Sequence, residues 1–198
     1  MEYYRKNHTV FMKHHSAIWK LEGFNWVIAS EDDTGNMVSI DEKEAEFLTD
    51  CELRQHINYF ISANALARTK HKGQVDKAGK DYFDAHIAEV VKLVPNEPYL
   101  KEIAYLHDIL EDTDITEESL RKEFPDEIVD AVVTMTHRKN ESYQDYIERI
   151  KTNKRAVKVK ICDLMQNMDL SRLETVTEKD LKRFEKYSHA LAELAKTL

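Results

Sequence analysis

The spacing of apolar positions changes at about residue 40. Before it, Asn25-Trp-Val-Ile-Ala-Ser30 and Met37-Val-Ser-Ile40 read as strands flanking Asp33-Thr-Gly-Asn36, and predict a β-hairpin across Gly35. This first part is aromatic, with Tyr3, Tyr4, Phe11, Trp19, Phe24 and Trp26. After it the spacing is helical throughout. The pattern predicts a short acidic helix over 41–50 and a longer one over 52–71. The longer one would pack through Leu53, Ile57, Phe60, Ile61, Asn64, Ala65 and Ala67, with His56 at its boundary. Gly73 and Gly79 interrupt it with a polar loop. Asp84 is the expected N-cap of a helix over 86–94, which Pro95 and Pro98 end, and a helix over 99–111 follows. Thr116 caps 117–124, Pro125 opens 125–136, and Ser142 with Asp145 forms a capping box. A helix over 154–170 and a last one capped by Thr177 and Asp180 complete the chain. The predicted fold class is all-α: a helical bundle over 51–198, preceded by a small N-terminal extension, 1–50, that holds the hairpin.

Composition agrees. In 198 residues there are 4 Gly and 3 Pro, and 33% of residues are charged, which suits a soluble helical protein. A net charge of −8 argues against binding a nucleic-acid backbone but allows a small phosphorylated ligand held by local positive charge. Cys51 and Cys162 form no ligand pair or disulfide framework and fit a reducing compartment. No apolar run reaches membrane-spanning length and no secretory signal is visible, so the expected location is the cytoplasm.

Ala104-Tyr-Leu-His107-Asp108-Ile-Leu-Glu111-Asp112-Thr113 departs from this simple picture. His107 and Glu111 are four apart and leave the same side of a helix whose stripe, Leu100, Ile103, Ala104 and Leu110, reads as buried. Four ionisable groups on or beside an apolar stripe are costly to bury unless a counter-charge is present. A second anomaly lies in 154–170, where Ala156, Lys160, Asp163 and Asn167 make a polar stripe on an otherwise apolar helix. With His86, these groups suggest a mononuclear metal site of His86, His107, Asp108 and Asp163. Two imidazoles and two carboxylates suit Mn²⁺, Fe²⁺, Zn²⁺ or Ni²⁺ better than Mg²⁺ or Ca²⁺. Such an ion acidifies its water and neutralises phosphoryl charge. Glu111 is spaced to orient or deprotonate that water, Asp112 to assist, and Lys77 and Lys80 in the loop to meet phosphates, with Lys160 and Asn167 as further substrate contacts. The adjacent His14 and His15 point to different sides of any regular element and read as a surface pair.

A histidine, a His-Asp pair and a distant aspartate resemble the HD-domain metal-dependent phosphohydrolases. His71-x-x-Gln74-x-x-Lys77, Tyr82-Phe83-x-x-His86, Leu106-His107-Asp108-x-x-Glu111-Asp112-Thr113 and Lys160-x-x-Asp163-x-x-x-Asn167 are similar to the hydrolase domain of RelA/SpoT-type enzymes and the small alarmone hydrolases. The resemblance spans about residues 57–190. It implies an HD-domain bundle and Mn²⁺-dependent removal of the 3′-pyrophosphate from guanosine tetra- and pentaphosphate, the chemistry of the stringent response. It implies His86, His107, Asp108 and Asp163 as ligands, Glu111 and Asp112 as catalytic acids, and Lys77 and Asn167 as substrate contacts. The expected partner is a small phosphorylated nucleotide, with no nucleic acid or membrane, and a homo-oligomer is allowed.

One departure bears on substrate. Alarmone hydrolases carry an Arg-Lys pair where this chain has Asp76-Lys77, and an acid there would repel a pyrophosphate by about 1 kcal/mol or more. Asn140-Glu-Ser-Tyr-Gln-Asp-Tyr-Ile147 and Asp169-Leu-Ser-Arg172 resemble a bacterial and phage subgroup of HD proteins. Two alternatives therefore stand beside the alarmone reading: an HD phosphohydrolase acting on another nucleotide or small phosphoester, and a non-catalytic metal-stabilised binding module.

Overall fold

Strand-forming aromatic and β-branched residues alternate with charged ones at the start of the chain, and that stretch forms a sheet. The computed structural model describes residues 2–6, 9–14, 17–22, 25–28, 37–40, 42–173 and 175–198. The chain forms two units, Met1–Tyr59 and Phe60–Leu198. In the first, β1 (Glu2–Lys6), β2 (Thr9–His14), β3 (Ala17–Glu22), β4 (Asn25–Ile28) and β5 (Val38–Ile40) build one sheet in the order β4-β3-β2-β1-β5. All neighbours are antiparallel, with Tyr4 opposite Phe11 and Met12 opposite Trp19. The two predicted strands exist, but the predicted hairpin between them does not. β4 pairs with β3 and β5 pairs with β1, at opposite edges. The apolar runs were the only visible strand signal. Three strands whose charged residues hide the alternation take up the pairing instead. The turn expected at Gly35, and His15 beside it in the metal question, lie outside the described residues.

α1 (Glu42–Lys70) is one helix where two were predicted, because no Gly or Pro falls within it to stop it. Near its end Ala63 and Ala67 are the buried positions, whereas Ile57, Phe60 and Ile61 are exposed, which corrects the expected packing face. His56 is buried, as a boundary histidine.

Among the described residues the second unit is all-α apart from one isolated bridge, Val75 to Asp81. After the 71–81 loop a widened π turn, Phe83–Ile87, leads into α2 (Ala88–Leu93). Then come α3 (Leu100–Leu106), α4 (Ile109–Asp112), α5 (Glu117–Glu123), α6 (Asp126–Met135), α7 (Tyr143–Ile150), α8 (Lys154–Met168), a 3₁₀ turn (Leu170–Arg172) and α9 (Glu178–Ala195). Side-chain caps start α5, α7, α8 and α9 at Thr116, Ser142, Asn153 and Thr177. Asp81, not Asp84, caps the turn that carries His86, accepting from Asp84 N at 3.1 Å. Ile87, Leu100, Ile103, Leu106, Ile109, Ile128, Met135, Ile150 and Leu164 are fully buried and form the core. Among the described residues no helix is long and apolar enough to cross a membrane.

The predicted helix over 99–111 is broken in two at His107-Asp108. Asp108 leaves helical geometry, with φ −102° and ψ 0°, and its carbonyl takes the N–H groups of Glu111 and Asp112 at 3.1 and 3.0 Å. This sparsely populated region is where active-site residues often sit. The break turns Asp108 toward His86 and His107 and leaves Glu111 and Asp112 on a separate short helix.

Candidate metal centre

Three elements supply the site: the π turn carries His86, the α3–α4 break carries His107 and Asp108, and α8 carries Asp163. A π turn widens the helix locally and is common at functional positions. His86, His107 and Asp163 are buried, at 3%, 2% and 3% exposure. His86 Nε2 and His107 Nε2 lie 3.2 Å apart. Asp108 Oδ2 is 3.0 Å from His107 Nε2 and 3.5 Å from His86 Nε2. Asp163 Oδ1 is 3.2 Å from His86 Nε2 and 3.7 Å from His107 Nε2. Ligand bonds of about 2.0–2.2 Å place neighbouring donors of one metal ion about 3 Å apart, so these separations match a shared cation. His86, His107 and Asp108 form a group whose ligand atoms all lie within 4.8 Å of one another.

The outer hydrogen bonds fix what the imidazoles present. His107 Nδ1 donates to the Ala104 carbonyl at 2.7 Å. His86 Nδ1 donates to Gln166 Oε1 at 3.0 Å, and Gln166 Nε2 donates to the Ala85 carbonyl at 3.0 Å, which fixes the amide. With both Nδ1 atoms donating, each neutral ring turns a bare Nε2 lone pair inward. Both Nε2 lone pairs of the neutral rings then face the Asp108 and Asp163 oxygens, and neither ring places a proton between them. That arrangement calls for positive charge.

The electrostatics agree. Burial alone would lower the His86 imidazole, but hydrogen bonds to Asp108 and Asp163 raise it to about 9. His107 is raised against its own burial by Asp108 and Asp163. Burial would push Asp163 up, yet the Lys160 ammonium and the two imidazoles hold it well below the usual carboxylate range. Without a metal ion, protons on the imidazoles must occupy the place the cation would take.

Other side chains hold this set in position. The Tyr82 hydroxyl donates to Asp108 Oδ2 at 2.5 Å. Asn167 Nδ2 donates to Asp163 Oδ1 at 2.6 Å, and Lys160 Nζ lies 2.8 Å from Asp163 Oδ2. Lys160 and Asn167, expected as substrate contacts, both engage the Asp163 carboxylate. Glu111 and Asp112 are open to solvent at the rim. The His137 N–H donates to Glu111 Oε1. Partial burial, opposed by that hydrogen bond and aided by Asp108, raises the Glu111 carboxyl. Burial and then Asp108 raise that of Asp112. Lys77 is exposed on the loop, and among the described residues no hydrogen bond or ion pair joins it to the cluster.

Gln166 was missed by sequence reasoning, because an amide beside an acidic stripe carries no signal of its own. His71 and Gln74 appeared in a motif without a role. The structure shows a relay: His71 Nδ1 donates to Gln74 Oε1 at 2.7 Å, and Gln74 Nε2 donates to the Asp112 carbonyl at 2.9 Å. Asp76 also departs from expectation. Its side chain, 4% exposed, accepts from Ala78 N and Lys80 N at 2.9 Å and pairs with Arg172 at 3.3 Å. It organises the loop and its charge is matched, so it is not a free acid repelling phosphate. Lys80 lies with Asp76, Arg172 and Gln166 on an open groove of about 670 Å³ whose walls include none of the four converging side chains.

No family model matches the chain. A solved structure described as a metazoan ortholog of SpoT that hydrolyzes ppGpp and plays a role in starvation responses is similar, with a TM-score of 0.59 and 22% identity over 69% of this chain and 84% of that one. The likeness shows that this chain shares a fold with that hydrolase over the part covered.

Proposed function

We propose that the chain is a divalent-metal-dependent phosphohydrolase of the HD type, acting on guanosine 3′,5′-bis(diphosphate) as a 3′-pyrophosphohydrolase. The observation that carries this reading is the grouping of the His86, His107 and Asp108 donor atoms within 4.8 Å of one another, with Asp163 Oδ1 3.2 Å from His86 Nε2 and two raised carboxyls at the exposed edge. The SpoT-like neighbour supports the substrate. His86, His107, Asp108 and Asp163 would hold the ion, and Mn²⁺ suits a set of two nitrogens and two oxygens. When bound, the ion supplies acidification of water and charge neutralisation at a phosphoryl group.

The chain's own residues supply the rest. Glu111 has one oxygen held by the His137 N–H, leaving the other to take a proton from the attacking water. Its raised carboxyl brings it nearer the operating pH of a general base. A bond forms from the water oxygen to phosphorus, and the bond from phosphorus to the ribose 3′-oxygen breaks. The departing 3′-oxygen takes up a proton that Asp112 is suited to relay, and pyrophosphate is released. The Gln74 contact to the Asp112 carbonyl holds that residue's backbone. Lys160 and Asn167 orient Asp163 and lie where phosphoryl oxygens would approach it. Lys77, exposed on the 71–81 loop, supplies a cation for the pyrophosphate.

The test is release of pyrophosphate from guanosine 3′,5′-bis(diphosphate) by purified Mn²⁺-loaded protein, with Asp163→Ala as the blank. No release, while a known alarmone hydrolase is active in the same buffer, refutes the substrate. A second reading, hydrolysis of another phosphorylated nucleotide, is favoured by Asp76, which stands where alarmone hydrolases carry arginine and spends its charge on Arg172. Release of phosphate from other nucleotides, lost in the same blank, would select it.

A further inference from the structure

Among the described residues, half of the lysines of the helical unit pair with an acid. Lys70 pairs with Asp114 at 2.8 Å, Lys151 with Glu148 at 2.7 Å, and Lys158 with Glu97. Lys186, on α9, does not: among the described residues no carboxylate lies within salt-bridge distance of it. Its Nζ stands 3.6 Å from the centroid of the Tyr143 ring and 6.0 Å from that of Tyr187. Lys160 Nζ stands 5.3 Å from the neighbouring ring, Tyr146. The Tyr143 and Tyr146 centroids are 6.0 Å apart, and those of Tyr143 and Tyr187 are 6.5 Å apart. One aromatic wall, built by α7 and α9, thus holds two ammonium groups. Partial burial and then the like charge of Lys160 act against the Lys186 ammonium.

The chain carries a net charge of −8, yet among the described residues none of its carboxylates pairs with Lys186. The one carboxylate on Lys160 is Asp163, which belongs to the metal centre. The Tyr143 hydroxyl, in the same wall, is buried without a hydrogen-bond partner. With its pKa pushed up to about 12 it remains protonated, and so remains a donor, at neutral pH. Two cations that repel each other and an unused O–H donor make a place for an anion. A ring face alone would satisfy Lys186 only in part. The Lys160 contact ties this wall to the metal centre.

We infer that Lys186, with the Tyr143 hydroxyl and Lys160, is a second anion subsite that selects substrates carrying a phosphoryl group in addition to the one being cleaved. The inference deepens the proposed function and rests on its metal centre. A purely structural role for Lys186, pinning α9 to α7, would affect all ligands and the folding temperature alike. A subsite affects only the ligand bearing the second group.

The experiment is calorimetric binding to Mn²⁺-loaded protein in a Glu111→Gln background, which reports affinity without turnover. The probes are guanosine 3′,5′-bis(diphosphate) and guanosine 3′-diphosphate with a free 5′-hydroxyl. The first should bind about tenfold more tightly, the scale of one charge-assisted contact. Lys186→Gln should remove that preference while leaving the second probe unchanged. Lys186→Arg should restore it, and Tyr143→Phe should weaken it. Equal loss on both probes, no loss, no preference in the parent, or no binding of either probe overturns the inference. Turnover by the otherwise wild-type protein separates the two readings. Pyrophosphate release with a preference that ignores Lys186 sinks the subsite alone. A Lys186-dependent preference without release sinks the proposed reaction alone.

Discussion

Replacing Gln166 by leucine should weaken metal binding by about one to two orders of magnitude, although Gln166 is not itself a ligand. The residue is 9% exposed, and its side chain makes two hydrogen bonds, each 3.0 Å, to His86 Nδ1 and to the Ala85 carbonyl. Leucine is close in size, so the change removes hydrogen bonding more than packing. It leaves the His86 N–H buried and unpaired, at a cost of about 1–3 kcal/mol. The imidazole can recover by turning or by changing tautomer, and either change takes the Nε2 lone pair away from Asp108 and Asp163. At 1.4 kcal/mol per tenfold, that range corresponds to about 5- to 150-fold in affinity. It overlaps the 10–100-fold expected for removing a partner of a ligating histidine. The assay is competition for Mn²⁺ against a chromophoric chelator, with circular dichroism to confirm that each variant is folded. Gln166→Glu keeps an acceptor for His86 Nδ1–H and should bind metal nearly as well as wild type. A Gln166→Leu affinity within twofold of wild type, in folded protein, would refute the assigned tautomer and with it the argument that both lone pairs face inward.

Further outcomes follow from the same geometry. His107→Ala and Asp163→Ala should each abolish the roughly one divalent ion per chain that elemental analysis should find, because each removes a direct donor. Protons compete for the same nitrogens, and His86 is raised to about 9 in the metal-free protein, so Mn²⁺ affinity should fall as pH drops below about 9. A pH-independent affinity between pH 6 and 9 would contradict this. Glu111→Gln should retain metal and lose about 10²–10⁴-fold in turnover, measured by pyrophosphate release; loss of the metal as well would make Glu111 a ligand. The Glu141 carboxyl is held down to about 2, first by its hydrogen bonds with Arg149. Its folded value lies below its unfolded one, so the pair stabilises the fold above about pH 4.5, and the contribution disappears as pH falls through about 2. Urea midpoints of wild type and Glu141→Gln should therefore differ at pH 7 and converge toward pH 2. A constant difference across that range would show that the contribution is not ionic.

Arg149 shows why local pattern stops short of the site. Its guanidinium donates to the carbonyls of Val133, Thr134 and Thr136 as well as to Glu141, closing the end of α6. That end carries His137, whose N–H anchors Glu111. The helix caps at Thr116, Ser142 and Thr177 were legible because capping is a contact between residues three apart. The Arg149 contacts reach back 13–16 residues and leave no periodic trace. The missed pairing of Asp76 with Arg172 spans 96 residues, which is why Asp76 looked like an exposed acid in a basic loop.

What the sequence determined by itself is the chemistry of the donors and the helical character of the part that carries them. Helical period and capping residues are local properties, and four ionisable groups on apolar stripes remain an anomaly whatever the fold. The tertiary structure decided how they meet. It broke the expected helix at His107-Asp108, widened the turn that carries His86, and brought Asp163 to within 3.2 Å of it. It also decided the sheet order, because strand pairing is a contest between distant segments that no single run of residues can settle. The inward direction of the two lone pairs came last, from Ala104 and Gln166, because a tautomer is set by whatever the other ring nitrogen touches.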